Sequence, residues 1–245
     1  MSAVSDGQPH RGRVAVVTGG QSGIGHAVAA RLERAGARVS VLDVTGGAAD
    51  DPVPSYRVDV GDEHAVDAAF DAIAGREGGI DYLICCAAIF PARPFLELPA
   101  ADWERTIRVN LTGSFLCCRA ALRHMRPRAF GRIILFSSGL ARTAGRHCAP
   151  YAASKGGVLG LARSLALEVV QEGIRVNTIS PGITDTPQPR GHMSEEELYG
   201  RAASIPLGRI GTVDDMAEAC LFLLGEESSY LTGQDLRVNG GAGLW

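Results

Sequence analysis

Arg13-Val-Ala-Val-Val-Thr18-Gly19-Gly20-Gln21-Ser22-Gly23-Ile24-Gly25 is the stretch on which the reading of this chain turns. Arg13 to Thr18 has the apolar, β-branched character of a short buried strand. It runs straight into a glycine turn, and His26 to Ala35 continues with helical periodicity. In a strand, glycine turn and helix in that order, the glycines let the backbone approach a pyrophosphate closely, and the helix start offers unpaired N–H groups. Gly19, Gln21, Ser22, Gly23, Ile24 and Gly25 are therefore candidate dinucleotide contacts. The next strand, Ala37 to Leu42, ends at Asp43, 18 residues beyond Gly25 and close to where a carboxylate reaches the adenosine ribose hydroxyls. A carboxylate there accepts from the ribose diol and repels a 2′-phosphate. No basic residue lies in the glycine loop, and Val44 and Thr45 follow the acid. The expected cofactor is NAD rather than NADP; the bland alternative is that Asp43 only caps a strand end.

Outward from this unit the alternation continues. Strand-like runs near 13–18, 37–43, 55–60, 80–87, 131–137, 174–180 and 235–239 are separated by helical patterns over 24–35, 62–75, 101–126, 151–172 and 213–224. That order implies an α/β chain with a doubly wound, seven-stranded parallel sheet and helices on both faces. An eight-stranded α/β barrel shares the alternation, but seven strands and the first-turn fingerprint weigh against it. The expected organisation is a flexible tail over 1–12 and one domain over 13–245. Ligands belong beyond the carboxyl ends of the strands, where Gly19–Gly25, Asp43, Ser138 and Pro181 all fall.

Only one of the 24 basic residues is a lysine, Lys155 in Tyr151-Ala-Ala-Ser-Lys155. In a chain that otherwise uses arginine, a lysine points to a need for a compact, rotatable ammonium. Residues i and i+4 share a helix face, so Lys155 can lie beside the Tyr151 phenol. A nearby cation favours the phenolate, which predicts a tyrosine brought down from its usual value of ~10 toward neutrality as an acid/base. An exposed tyrosine–lysine pair on a helix surface is the structural alternative.

With these residues in place the sequence resembles the classical subgroup of the short-chain dehydrogenase/reductase family, over roughly Arg13 to Gly241. Thr18-Gly-x3-Gly23-x-Gly25 matches the cofactor loop. Asp59-Val60 resembles the pair that holds adenine. Asn110 in Val-Asn-Leu-Thr-Gly113 is similar to the active-site asparagine, and Ser138, 13 residues before Tyr151, to the catalytic serine. Pro181-Gly182-Ile183 with Thr186 resembles the segment that closes over nicotinamide, and Thr232 to Gly241 the C-terminal strand signature. The resemblance implies a Rossmann fold and hydride transfer between NAD and a carbon bearing a hydroxyl or carbonyl. Tyr151 is then the general acid/base, and Ser138 holds the substrate oxygen. Lys155 binds the nicotinamide ribose, and Asn110 holds a water that relays protons. It also implies a homo-oligomer, dimer or tetramer, and a substrate lid over 184–210; the bland reading of that segment is a solvated connector.

One motif departs from the family. Where Asn-Asn-Ala-Gly is usual after the fourth strand, this chain has Cys85-Cys86-Ala87-Ala88. Backbone contacts from Cys86 and Ala87 to the cofactor can survive that change, but a side-chain amide contact cannot. Phe90, Arg93, Leu140, Arg146, His147, Cys148, Arg190 and His192 are candidate pocket residues, with Cys148 read as a pocket wall or as a reactive thiol. The substrate is expected to be a small alcohol or ketone, with a polyol or other secondary alcohol favoured and a 3-oxoacyl thioester as the alternative. A catalytically silent NAD-binding regulator would not need all of Asn110, Ser138, Tyr151 and Lys155, and an epimerase of the extended branch would need a larger C-terminal region.

Composition bounds the rest. The 245 residues are 46% apolar and 21% charged, ordinary for a globular domain, and the net charge of −3 with dispersed arginines argues against a nucleic-acid partner. No apolar stretch is long enough for a membrane span, and the N-terminus lacks a signal segment, so a cytoplasmic location is expected. The six cysteines lack metal-ligand spacing with histidines; five sit in apolar patterns as small buried hydrophobes.

Overall fold

Val14–Thr18 (β1) is buried at every position, as a run of small and β-branched residues covered on both faces must be. In the computed structural model, which describes residues 8–47 and 53–243, it lies near the middle of a seven-stranded sheet. The other strands are Arg38–Asp43 (β2), Ser55–Arg57 (β3), Tyr82–Cys85 (β4), Gly131–Phe136 (β5), Ile174–Pro181 (β6) and Asp235–Val238 (β7). The order is β3-β2-β1-β4-β5-β6-β7, and every neighbouring pair is parallel. The winding reverses between β1 and β4, the switch point where open α/β sheets form their ligand crevice.

Strand alternation sorts the core into two layers. Val14 and Val16 face Val66, Phe70 and Ile73 of Glu63–Glu77 (α2) and Val158 and Ala162 of a long helix described below. Ala15 and Val17 face Val28 and Leu32 of Gly23–Arg34 (α1) and the Val213–Leu224 helix. Each predicted helical pattern is present, with one division. The 101–126 pattern resolves into Ala100–Ile107 (α3), a π-helical turn at Arg108–Thr112, and Gly113–Met125 (α4). A π turn inserts one residue into the helical ladder and is often found at functional sites. Short helices at Leu140–Thr143 (α5), Pro187–Arg190 (α7) and Glu195–Gly200 (α8) accompany the long ones at Ala149–Val169 (α6) and Val213–Leu224 (α9).

Residues 1–7 of the predicted tail lie outside the described residues. His10 does not behave as part of a tail: it is buried, its amide donates to Ala35 O at 3.1 Å, and its Nδ1 lies 3.2 Å from the Tyr82 hydroxyl. No helix among the described residues is long and apolar enough to cross a membrane.

Candidate active site

The glycine loop is shaped by close backbone approach. Gly19 has φ +67°, and a Cβ there would lie 2.7 Å from Ala87 N, so the turn presses directly on the end of β4. A Cβ on Gly25 would run into the Gly19 carbonyl, which is why α1 can begin immediately under the turn. The α1 N-cap, Ser22, makes no side-chain cap, and the first turn carries no acidic residue. Those N–H groups are the anion cradle that a dinucleotide pyrophosphate fits. At the end of β2 the Asp43 carboxylate accepts from Gln21 N at 3.2 Å and from Thr45 N and Oγ1 at 3.1 and 3.0 Å. It is thus held against the glycine loop by Gln21 and closes a local turn with Thr45. Asp59 accepts from Gly61 N and Arg108 Nη1, both at 2.9 Å. Burial opposes its ionisation, but these two contacts prevail and hold its carboxyl below the usual range.

Cys86 and Ala87 follow β4 at the switch point, their amides donating to Thr18 O and Thr18 Oγ1 at 3.1 and 3.2 Å. The family departure therefore leaves the backbone register intact. Ala88 is not among the described residues with positive φ, so its Cβ causes no backbone strain. The Cys86 thiol is pushed up by burial first and then by neighbouring Cys220 and Cys85, which makes it a neutral side chain in the cleft wall.

Tyr151 and Lys155 occupy the first turns of α6, and both are buried. The Gln188 and Ser138 side chains stand beside the Tyr151 hydroxyl and pull its pKa down. Ser138 lies in the turn after β5, where its Oγ accepts from Leu140 N at 3.2 Å. Lys155 Nζ sits 5.7 Å from the Tyr151 ring centroid and donates to Phe136 O at 2.7 Å. Here the structure corrects the sequence expectation. Burial raises the Tyr151 pKa above its ordinary value, and this outweighs the lowering by Gln188 and Ser138. The ammonium is aimed at a carbonyl instead of the phenol. Burial lowers Lys155 itself to about 8, against weaker opposing pulls from Cys86 and Cys85.

Asn110 stands in the π turn, fully buried. Its Oδ1 accepts from Ile89 N at 2.9 Å, while its Nδ2 donates to Ile89 O and Ser154 Oγ, both at 3.0 Å. Both amide hydrogens are committed. The side chain clamps the segment after β4 to α6, and Ser154 Oγ in turn donates to Tyr151 O at 2.8 Å. Asn110 is joined to the tyrosine by two hydrogen bonds and positions it.

Pro181 ends β6, and Gly182 N donates to Val238 O at 2.9 Å. Thr186 and Pro187 lie over the glycine loop, 3.5 and 3.7 Å from where a Gly23 Cβ would be. Phe90 meets Tyr151 edge-on at 4.6 Å between centroids, and His192 meets Phe90 at 5.2 Å. The 184–210 segment is thus folded onto the site. Gln188 comes from that segment to stand beside the tyrosine hydroxyl, a candidate position that sequence reading missed because no local motif marks it. Arg190 is paired with Asp185 at 2.6 and 2.9 Å. Cys148 is buried, its thiol donates to Gly145 O at 3.2 Å and burial raises its pKa, so it braces a turn and is no reactive thiol. Among the described residues no group of three or more His, Cys, Asp or Glu is placed to hold a metal ion.

A family model described as enoyl-(acyl carrier protein) reductase matches residues 19–243. The chain is 39% identical to cis-4-hydroxycyclohexanecarboxylate dehydrogenase of Sinomonas cyclohexanicum, covering 96% of this chain and 98% of the relative. It is 35% identical to 3-oxoacyl-[acyl-carrier-protein] reductase of Aquifex aeolicus, over 94% and 97% of the two chains. Among solved structures, ligand-free aldohexose dehydrogenase of Thermoplasma acidophilum superposes with a TM-score of 0.91 at 29% identity, covering 96% of this chain and 95% of that one.

Proposed function

The chain belongs to the short-chain dehydrogenase/reductase family, and from that membership we propose that it is an NAD(H)-dependent oxidoreductase interconverting a secondary alcohol and a ketone. The observation that carries this reading is the convergence of the Tyr151 hydroxyl, Ser138 and the buried Lys155 ammonium beyond the sheet, opposite the glycine loop. A bound nicotinamide ring supplies the hydride acceptor or donor. Gly19, Gln21, Ser22, Gly23, Ile24 and Gly25 cradle the pyrophosphate, Asp43 accepts from the adenosine ribose, and Asp59 and Val60 flank adenine. Cys86, Ala87, Pro181, Gly182, Ile183 and Thr186 wall the nicotinamide end.

Tyr151 Oη takes the proton of the substrate hydroxyl during oxidation and returns it during reduction. Ser138 Oγ donates to the substrate oxygen and holds negative charge as it develops there. Lys155 serves the nicotinamide ribose hydroxyls and, while charged, favours the phenolate. Because burial alone leaves the tyrosine protonated, the phenolate has to be stabilised in the loaded site. Asn110 keeps Ile89 and α6 in register beneath the reacting groups. The exposed Phe115 on α4, Leu167 on α6 and Phe222 on α9 support a homotetrameric assembly.

The test is NADH formation at its absorbance maximum, with NAD⁺ and a panel of polyols, cyclic secondary alcohols, hydroxy acids and 3-hydroxyacyl thioesters. We expect turnover of one chemical group with NAD⁺, falling by about 10²- to 10⁴-fold in Tyr151→Phe while NADH binding persists. Near-normal turnover in that variant would sink the assignment. Preference for the thioesters would favour the 3-oxoacyl reductase alternative.

A further inference from the structure

We infer that the cleft between residues 89–97 and the 144–149 turn is an anion subsite, which holds a carboxylate or phosphate of the substrate away from the carbon that reacts. The inference deepens the oxidoreductase reading and rests on it for the word substrate. The cleft, about 360 Å³, is lined by Arg93, Phe95, Gly145, Arg146, His147 and Ala149. Two arginines and a histidine are among these lining residues, and none of the described lining residues is acidic. Many arginines of the chain are matched with acids, as in Arg108–Asp59, Arg142–Asp235, Arg190–Asp185 and Arg209–Asp215, and Arg93 of the cleft pairs with Asp102. Arg146 has no hydrogen bond or ion pair among the described residues. Arg93 is fixed through Nε, which donates to Asp102 at 3.1 Å and leaves the two terminal nitrogens for a ligand.

The backbone is bent to bring these groups together. Ala144 and His147 have φ of +56° and +61°, in the left-handed region that non-glycine residues usually avoid. The turn is braced from both sides, by Arg93 N donating to His147 O at 2.8 Å and by the Cys148 thiol on Gly145 O. Strain of this kind persists only where its surroundings enforce it, and it concentrates at ligand sites. Ala149 opens the 21-residue α6, whose first turn has no acidic residue and whose N-cap, Cys148, does not cap the helix with its side chain. The helix dipole therefore adds to the positive field of Arg93 and Arg146. Tyr151 lies two residues further on and Phe90 rests on its ring. Phe95, largely exposed at 73%, offers an apolar wall for the body of a ligand whose anionic end meets the arginines.

The experiment uses the NADH-loaded protein and calorimetric titration with cyclohexanecarboxylate, cyclohexyl phosphate and neutral cyclohexanecarboxamide. We expect one of the anions to bind at least about ten-fold more tightly than the amide, the scale of a hydrogen bond to a charged group. That preference should disappear in Arg146→Gln and weaken in Arg93→Gln. It should survive in Arg163→Gln, an exposed arginine further along α6 that removes the same charge. Which anion wins identifies the carboxylate or phosphate. Equal binding of all three probes, no binding of any, or an unchanged preference in Arg146→Gln overturns the inference. Anion preference in a protein that turns over no alcohol would keep the subsite and discard the oxidoreductase reading.

Discussion

On the cofactor side of the cleft the geometry is fixed by backbone: the Gly19 turn pressed on Ala87 N, the Cys86 amide on Thr18 O, and Gly25 closed against the Gly19 carbonyl. On the substrate side it is fixed by side chains and long-range contacts. Asn110 clamps Ile89, Gln188 reaches Tyr151, and the 144–149 turn holds two non-glycine residues at positive φ. The first half has little room for a changed side chain and serves a ligand with an invariant core of ribose and pyrophosphate. The second half is shaped by side chains, so a changed side chain there changes the pocket itself. The lesson is that the two halves answer to different kinds of substitution: added atoms on one side, lost functional groups on the other.

That contrast can be broken most sharply at Gly25. In Gly25→Ala the new methyl meets a carbonyl that has no flexible end to move, so the turn must shift. We expect turnover to fall on the order of 100-fold, the cost of misplacing a reacting group by about 1 Å, and stability to fall by about 1–3 kcal/mol. A steady-state turnover assay and urea unfolding read the two effects. Normal turnover in this variant would mean that the loop is less tightly set than its contacts imply.

Lys155 tests the boundary between the halves through pH. Its folded pKa of about 8 lies below the ordinary 10.5, so over that window the unfolded chain binds the extra proton. Stability attributable to this group therefore rises as pH climbs from about 8 to 10.5 and is lost as pH falls back through 8. Compared with Lys155→Met, wild type should gain by up to about 3 kcal/mol across the window, as read by paired urea melts. A constant gap between the two proteins would show that the ammonium is solvated and not buried.

The smallest expected effect is at Asp43. Replacing it with Asn removes the charge while keeping the shape, and should shift the NAD to NADP affinity ratio by about ten-fold toward NADP. An unchanged ratio would assign Asp43 only to holding Gln21 and Thr45, and would remove the basis for preferring NAD.

What could be read from sequence follows the same division. Five strands were visible through their apolar and β-branched residues between turns, the partly buried β3 and β7 through their place in the alternation, and the glycine loop because its chemistry is local. Ser138, Tyr151 and Lys155 were visible through spacing on one strand end and one helix. The raised pKa of Tyr151 was not, because it depends on burial by Phe90 and the 184–210 segment, which no local pattern reports. Gln188 was hidden for the same reason. The division of 101–126 was hidden because Arg108-Val-Asn-Leu-Thr112 has an ordinary helical composition; what opens the turn is the demand of the Asn110 amide for Ile89 and Ser154, far off in the chain.

The π turn at Arg108–Thr112 also sets how this part of the chain can change in length. An α-helix advances about 100° per residue, so the extra residue of the turn is what aims Asn110 at Ile89 while α3 and α4 each keep their own buried face. Deleting one residue there would yield a more regular helix and, at once, rotate one of its halves out of phase with the sheet. A one-residue deletion should therefore be far more damaging than a point substitution at an exposed position of α3. In this segment the chain counts residues as strictly as it chooses them.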